Sequence, residues 1–318
     1  MTLACHSGCV KRWLALLAIL PVLAFPAGTT ATASDPPRNG LIAVGGETGL
    51  HIVDPRTGEA TLLPGSDEMS SPAWSPDGEL LAVSRWDEEN SGVYIVRPDG
   101  SDLKLVLKGG MYPSWSPDGK WLVAARSASW DEDTNKLAIV KADGSEVREL
   151  AGSGAHEYIG QPAWAPDGKQ IAFVDEAGHI RLVTLDGRPI AAYRNREAGN
   201  LSWSPDSSML VFDAVEQTKA TARQIIVVLE LATGKETVLR GPQDGATSPA
   251  WSPDGNQIAF ISLVRAPMPV MTTGCGGEQF AFHLWAMTAD GRNSQRLAKG
   301  AYYGTPVWAR SREPAPSD

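Results

Sequence analysis

One five-residue phrase constrains this chain more than any other feature. Trp-Ser-Pro-Asp-Gly stands at 74–78, 115–119 and 251–255. At 164–168 Ala165 replaces the Ser, and at 203–207 Ser207 replaces the Gly. A sixth copy breaks off after Trp308. Successive Trp residues are 41, 49, 39, 48 and 57 positions apart. A fixed phrase at this period is the mark of stacked repeats, each one supersecondary unit. Such units form one domain whatever the chain length, so 318 residues need not be divided into two.

The repeat unit reads as four short strands. In the first full copy these are Pro72–Trp74, Leu80–Val83, Val93–Val96 and Leu103–Leu107, with turns at Ser75–Gly78 and Pro98–Gly100. Pro presets the backbone for the second turn position, Asp bonds to the chain two residues on, and Gly accepts positive φ. Apolar runs of four to six residues between such turns are the hairpin signature. No stretch beyond the N-terminus carries a 3.6-residue apolar period, so helix is expected to be almost absent.

Counting the units sets the architecture. There are six outer turns and five complete inner turns. The segment 41–63 supplies three strands with no Trp strand, and Thr305–Trp308 supplies a Trp strand with nothing after it. Together they complete a sixth unit, and the ring so formed leaves no exposed sheet edge between its ends. The expectation is an all-β, six-bladed β-propeller of four-stranded blades over residues 39–309, closed by three N-terminal strands and one C-terminal strand.

Residues 1–33 read as a secretory signal, with Lys11-Arg12, an apolar run from Trp13 to Phe25, and small residues at Ala31 and Ala33. The apolar run is shorter than the ~20 residues that cross a bilayer, which sets aside the rival reading of a retained anchor. No Cys stands just after that run, so a lipoprotein signal is not read. Residues 34–38 form a lead-in and 310–318 a disordered tail. Cleavage would remove Cys5 and Cys9, leaving Cys275 without an intrachain partner. The expected location is the periplasm or the extracellular space, without stable membrane insertion. The net charge of −9 gives no basic stripe for nucleic acid.

The phrase Pro-x-Trp-Ser-Pro-Asp-Gly before an apolar strand, and the closing Pro306-Val307-Trp308, resemble the WD40-like propeller repeats of the TolB family. The resemblance covers nearly all of the chain after the signal and implies the six-bladed fold. The separate α/β domain that precedes the propeller in that family has no counterpart here, so its role is not carried over. Related repeats also cap prolyl-oligopeptidase enzymes, but no Gly-x-Ser-x-Gly elbow is present.

In a propeller the first strand of each blade lines the central channel. The loop leading into that strand and the loop between strands two and three open on one face, the expected binding face of TolB-like propellers. The candidate site is therefore Glu68, Tyr112, His156, Glu157, Tyr158, Asn200, Asp244, Tyr302 and Tyr303, with Trp86 and Trp130 from the second set of loops. Asp175 and Asp213 add acid to the same loops. The six repeat Trp are read as core. Trp86 and Trp130, beside carboxylates in loops, fit either partner contacts or loop anchors. Asp131–Asn135 places oxygens at alternate positions as calcium loops do, but lacks the Gly and the distal Glu. His156 with Glu157 fits an acid–base pair, or an ordinary polar pair. The insertion Leu263–Phe282, with Cys275, belongs to the same face. The expected function is an exported, non-catalytic, monomeric propeller binding a protein, peptide or small ligand at the channel mouth, with no cofactor or metal. The alternative is a lyase or hydrolase acting on sugars or peptides through polar channel residues.

Overall fold

The computed structural model describes residues 38–87, 89–127, 135–150, 159–217, 222–239, 245–265 and 280–311. Within them the regular elements are all strands. Blade 1 begins with β1 (Asn39–Gly46), β2 (Gly49–Val53) and β3 (Ala60–Leu62). Blade 2 holds β4 (Met69–Trp74), β5 (Leu81–Arg85), β6 (Gly92–Val96) and β7 (Lys104–Lys108). Blade 3 holds β8 (Gly110–Trp115), β9 (Trp121–Arg126), β10 (Lys136–Lys141) and β11 (Val147–Glu149). Blade 4 holds β12 (Ile159–Trp164), β13 (Gln170–Asp175), β14 (Ile180–Thr184) and β15 (Pro189–Tyr193). Blade 5 holds β16 (Ala198–Trp203), β17 (Met209–Gln217), β18 (Ala222–Glu230) and β19 (Lys235–Leu239). Blade 6 holds β20 (Ala246–Trp251), β21 (Gln257–Arg265), β22 (Phe280–Thr288) and β23 (Gln295–Ala298). The last strand, β24 (Tyr302–Arg310), returns to pair with β1, so blade 1 is completed by both ends of the chain.

Blades stack face to face, so both faces of a middle strand are buried. That is why β5 reads Leu-Ala-Val rather than alternating with polar residues. Successive side chains go to opposite neighbours. Leu81 and Val83 enter the cluster shared with blade 1, and Ala82 enters the one shared with blade 3. The second-strand positions Ala43, Ala82, Ala172 and Ala259 are each fully buried in the cluster that holds the Trp of the following blade: Trp74, Trp115, Trp203 and Trp308 respectively. A small side chain there leaves room for an indole. The sixth cluster joins Trp308, Ile42 and Val44 of blade 1 to Ala250, Ala259 and Ile261 of blade 6, and so closes the ring.

The repeated phrase builds one turn. The Ser75 hydroxyl donates to Asp77 Oδ1 at 2.6 Å and accepts the Leu80 N–H at 2.9 Å. Gly78 sits at φ 69° and its N–H bonds to the Ser75 carbonyl. Ser116, Ser204 and Ser252 repeat the hydroxyl-to-carboxylate bond at 2.6, 2.6 and 2.7 Å. Ala165 lacks it. Ser207, standing where the other turns have Gly, also takes positive φ, at 61°.

Blades 5 and 6 differ from the expected short strands. The second-to-third-strand hairpin of blade 5 stays paired out to Gln217↔Ala222, and that of blade 6 to Arg265↔Phe280. Val215 and Phe282 stand exposed on these extensions, above the ring, where no neighbouring blade covers them.

Candidate functional site

Strand register defines the two faces. Met69 pairs with Arg85, and Arg85 with Gly92, so the loop into β4 and the loop from β5 to β6 share one end, the mouth face. The Trp86 N–H donates to the Glu68 carbonyl at 3.1 Å and ties the two loops together. Trp74 pairs with Leu81 at the other end, so the Ser-Pro-Asp-Gly turns form the opposite, turn face.

Each first strand carries a break in register three residues before its Trp. In β4, β8 and β20 this places Ser71, Tyr112 and Ser248 at φ 48°, 55° and 55°. At two of these the turned N–H reaches the preceding blade. Tyr112 N–H donates to Ser84 Oγ at 2.9 Å, and Ser248 N–H donates to Asp213 Oδ2 at 2.7 Å. The positive φ is thus held by bonds between blades. A Pro follows in five of the six strands, where its missing N–H leaves no donor stranded at the channel.

These positions form a polar waist: Ser71, Tyr112, Gln161, Asn200, Ser248 and Thr305. Below it, a cavity of about 300 Å³ runs down past the Trp residues to Pro76, Pro117 and Pro166. At the waist the Thr305 hydroxyl donates to Gln161 Oε1 at 3.3 Å. Thr305 belongs to blade 1 and Gln161 to blade 4, on opposite sides of the ring, so this bond bridges the channel. The waist carries a readable signal, a polar residue three before each Trp, which attention to the loops passes over.

The mouth-face residues divide into three groups. Glu68 and Trp86 are accessible: the Glu68 carboxylate pairs with Arg85 at 3.4 Å, and Trp86 is 46% exposed. Tyr303, on the neighbouring blade, is 47% exposed, and burial first, then Glu47, push its phenol pKa upward. Tyr112 and Asn200 lie in the waist. Tyr302 turns inward, only 3% exposed, edge-on to His51 with ring centroids 5.6 Å apart, and burial raises its pKa. Trp130, His156, Glu157, Tyr158 and Asp244 lie outside the described residues, as do the acidic run 131–134 and Cys275.

Two acids expected on the mouth face are structural instead. Asp213 is 7% exposed, with Oδ1 accepting the Asn200 N–H at 2.7 Å and Oδ2 accepting from Asn200 Nδ2 at 3.1 Å, Thr247 and Ser248. Asp175 is buried and accepts from Arg181 Nε at 2.7 Å and from the His179 N–H. Burial would raise the Asp175 pKa, but the His179 N–H and Arg181 outweigh it and hold the carboxyl below its ordinary value. Among the described residues no group of three His, Cys, Asp or Glu is placed to hold a metal ion.

Six four-stranded blades and a terminal strand closing the first define a six-bladed β-propeller. Residues 138–240 match the Gmad1 family, described as the lipoprotein LpqB β-propeller domain. TolB from Acinetobacter baumannii superposes with a TM-score of 0.67 at 18% identity, over 87% of this chain and 68% of that one. A chain of a nidogen/laminin complex superposes at 0.62 and 13% identity, over 85% and 98%. The oligogalacturonate lyase of Vibrio parahaemolyticus gives 0.51 at 16% identity, over 81% and 74%. At these identities the likeness is one of fold. No curated protein sequence matches the chain.

Proposed function

We propose that this chain is an exported binding propeller that takes a protein or peptide partner on its mouth face, with residues 1–33 acting as a cleaved signal. The observation that carries the reading is the pair of half-exposed aromatics, Trp86 and Tyr303, on the same face of adjacent blades. Aromatic side chains of this kind concentrate binding energy where water is excluded around them. The Glu68–Arg85 pair beside Trp86 supplies a charged rim, and the extended hairpins of blades 5 and 6 rise on the same face, that of blade 6 next to blade 1. The bridge from Thr305 to Gln161 favours a ligand that sits on the mouth over one that threads the channel. The likeness to a chain of a nidogen/laminin complex is consistent with a protein partner.

The test is capture from envelope extract with immobilised protein. The parent should retain a partner that the Trp86→Ala/Tyr303→Ala variant releases at least about tenfold more readily. Equal capture by both would overturn the assignment. The second reading, a lyase or hydrolase, rests on His156 and Glu157 and on the likeness to the oligogalacturonate lyase. It requires turnover of an oligosaccharide or peptide that is abolished by His156→Ala, whereas a binding propeller would keep its partner in that variant.

A further inference from the structure

The turn face carries a second cavity, of about 440 Å³, at the seam where the two chain ends meet. Three arginines line it. Arg38 stands just before β1, Arg310 ends β24, and Arg56 lies in the turn between β2 and β3. Trp74, Leu41 and Pro98 form apolar wall around them. Asp54 is the one carboxylate in the lining, and Arg56 already engages it, with Nη2 to Oδ2 at 3.0 Å and Nε to Oδ1 at 3.2 Å.

That leaves Arg38 and Arg310 lining one pocket without a carboxylate partner among the described residues. This is unusual for the chain, which has a net charge of −9. Nine described arginines pair with a carboxylate. Arg38 and Arg310 form no ion pair among the described residues. Arg194 and Arg296 also form none, but they stand singly on blades 4 and 6, whereas Arg38 and Arg310 line the same cavity. Holding two like charges beside one another is unfavourable unless something anionic joins them.

We propose that this seam pocket binds a phosphate monoester, with Arg38 and Arg310 gripping the phosphate and Trp74 and Leu41 facing the ester body. The surplus of two positive charges matches a dianionic phosphate better than a single carboxylate. The planar fork of each guanidinium suits bidentate contact with phosphate oxygens. The volume suits a small organic body in addition to the phosphate. Arg310 also lines the lower channel cavity, so a bound ester would lie beside the lower opening of the channel. The site is on the face opposite the mouth and is independent of any partner bound there.

Two probes distinguish the sources of such a phosphate: glycerol 3-phosphate, followed by calorimetry and phosphorus NMR, and vesicles of phosphatidic acid, a lipid phosphate monoester, in a zwitterionic lipid, followed by co-sedimentation. Saturable binding of the soluble ester assigns the pocket to a free small molecule. Binding of vesicles alone assigns it to a lipid headgroup. In either case Arg38→Gln and Arg310→Gln should each weaken binding about tenfold or more, as expected for loss of a charge-assisted bond. Arg310→Lys should retain part of it, and Arg194→Gln should leave it unchanged. Both arginines are exposed, so the variants should keep the parent's circular dichroism and melting curve. The proposal is overturned if neither probe binds, if the Arg38→Gln/Arg310→Gln double variant binds like the parent, or if acetate competes as well as the phosphate ester.

Discussion

Replacing Asp213 by Ala tests how the blades are held in register around the waist. In the intact protein its carboxylate accepts two backbone N–H groups, from Asn200 and Ser248, each at 2.7 Å. Asn200 Nδ2 and the Thr247 hydroxyl complete the set. The Ser248 bond crosses from blade 5 to blade 6, and the Asn200 bond holds the register break within blade 5. In Asp213→Ala the two side-chain donors can turn elsewhere, but the two backbone donors cannot. A buried donor left without an acceptor costs about 1–3 kcal/mol, so the variant should lose roughly 3–5 kcal/mol. That is a large share of the ~5–15 kcal/mol that stabilises a typical domain. Asp213→Asn keeps one acceptor oxygen and should lose about half as much. Ser84→Ala, which removes the Oγ that accepts the Tyr112 N–H, should lose about 1 kcal/mol. Gly199→Ala attacks the same group from the other side, because a methyl there would come within 2.1 Å of Asp213 Oδ1. Urea unfolding followed by Trp fluorescence gives the ranking. If Asp213→Ala unfolds within about 1 kcal/mol of the parent, the carboxylate is not the link between these blades.

Two further outcomes follow from the turns. Ala165→Ser restores the hydroxyl that blade 4 lacks, within bonding reach of Asp167 and the Gln170 N–H by analogy with the other copies, and should raise stability by about 1 kcal/mol in the same assay. A loss instead would mean that the packing of Ala165 in the core outweighs the bond. Acid unfolding should be steep. The Asp118 and Asp206 carboxyls are held below the ordinary 3.8 chiefly by the Ser116 and Ser204 hydroxyls. In Asp254, burial pushes upward but the Ser252 hydroxyl and Asn256 outweigh it. A depressed carboxyl contributes stability that is complete above its unfolded value and disappears as pH falls through its folded value. Melting temperatures between about pH 5 and pH 2 should therefore drop mainly below 3.8. Ser116→Ala, lower at neutral pH, should lose less on acidification; curves that stay parallel to the parent would contradict this.

What the sequence determined by itself is the ring. A Trp-Ser-Pro-Asp-Gly turn is local chemistry: Ser, Asp and Gly satisfy one another within five residues, so the pattern can be read without knowing what lies nearby. Five and a fraction copies, with three strands left over at the start, leave closure as the arrangement that pairs every edge. The faces follow as well, because a hairpin's two ends are set by its register. Even the small second-strand residues Ala82, Ala172 and Ala259 are visible in the repeats, though their task of receiving the next blade's indole is not.

The tertiary structure decided which side chains remain for function. Tyr302 and Tyr303 are adjacent in the chain, yet one is buried and the other half-exposed. A strand sends neighbours to opposite sides, and only the position of blade 6 tells which side is core. Asp213 and Glu68 both look like mouth acids, but Asp213 is taken up by donors from the next blade's first strand while Glu68 pairs with Arg85 in its own. The bond between Gln161 and Thr305 joins residues 144 positions apart, and the arginine pocket gathers residues from both ends of the chain. Neither leaves a local trace, because both depend on where closing the ring brings distant segments together.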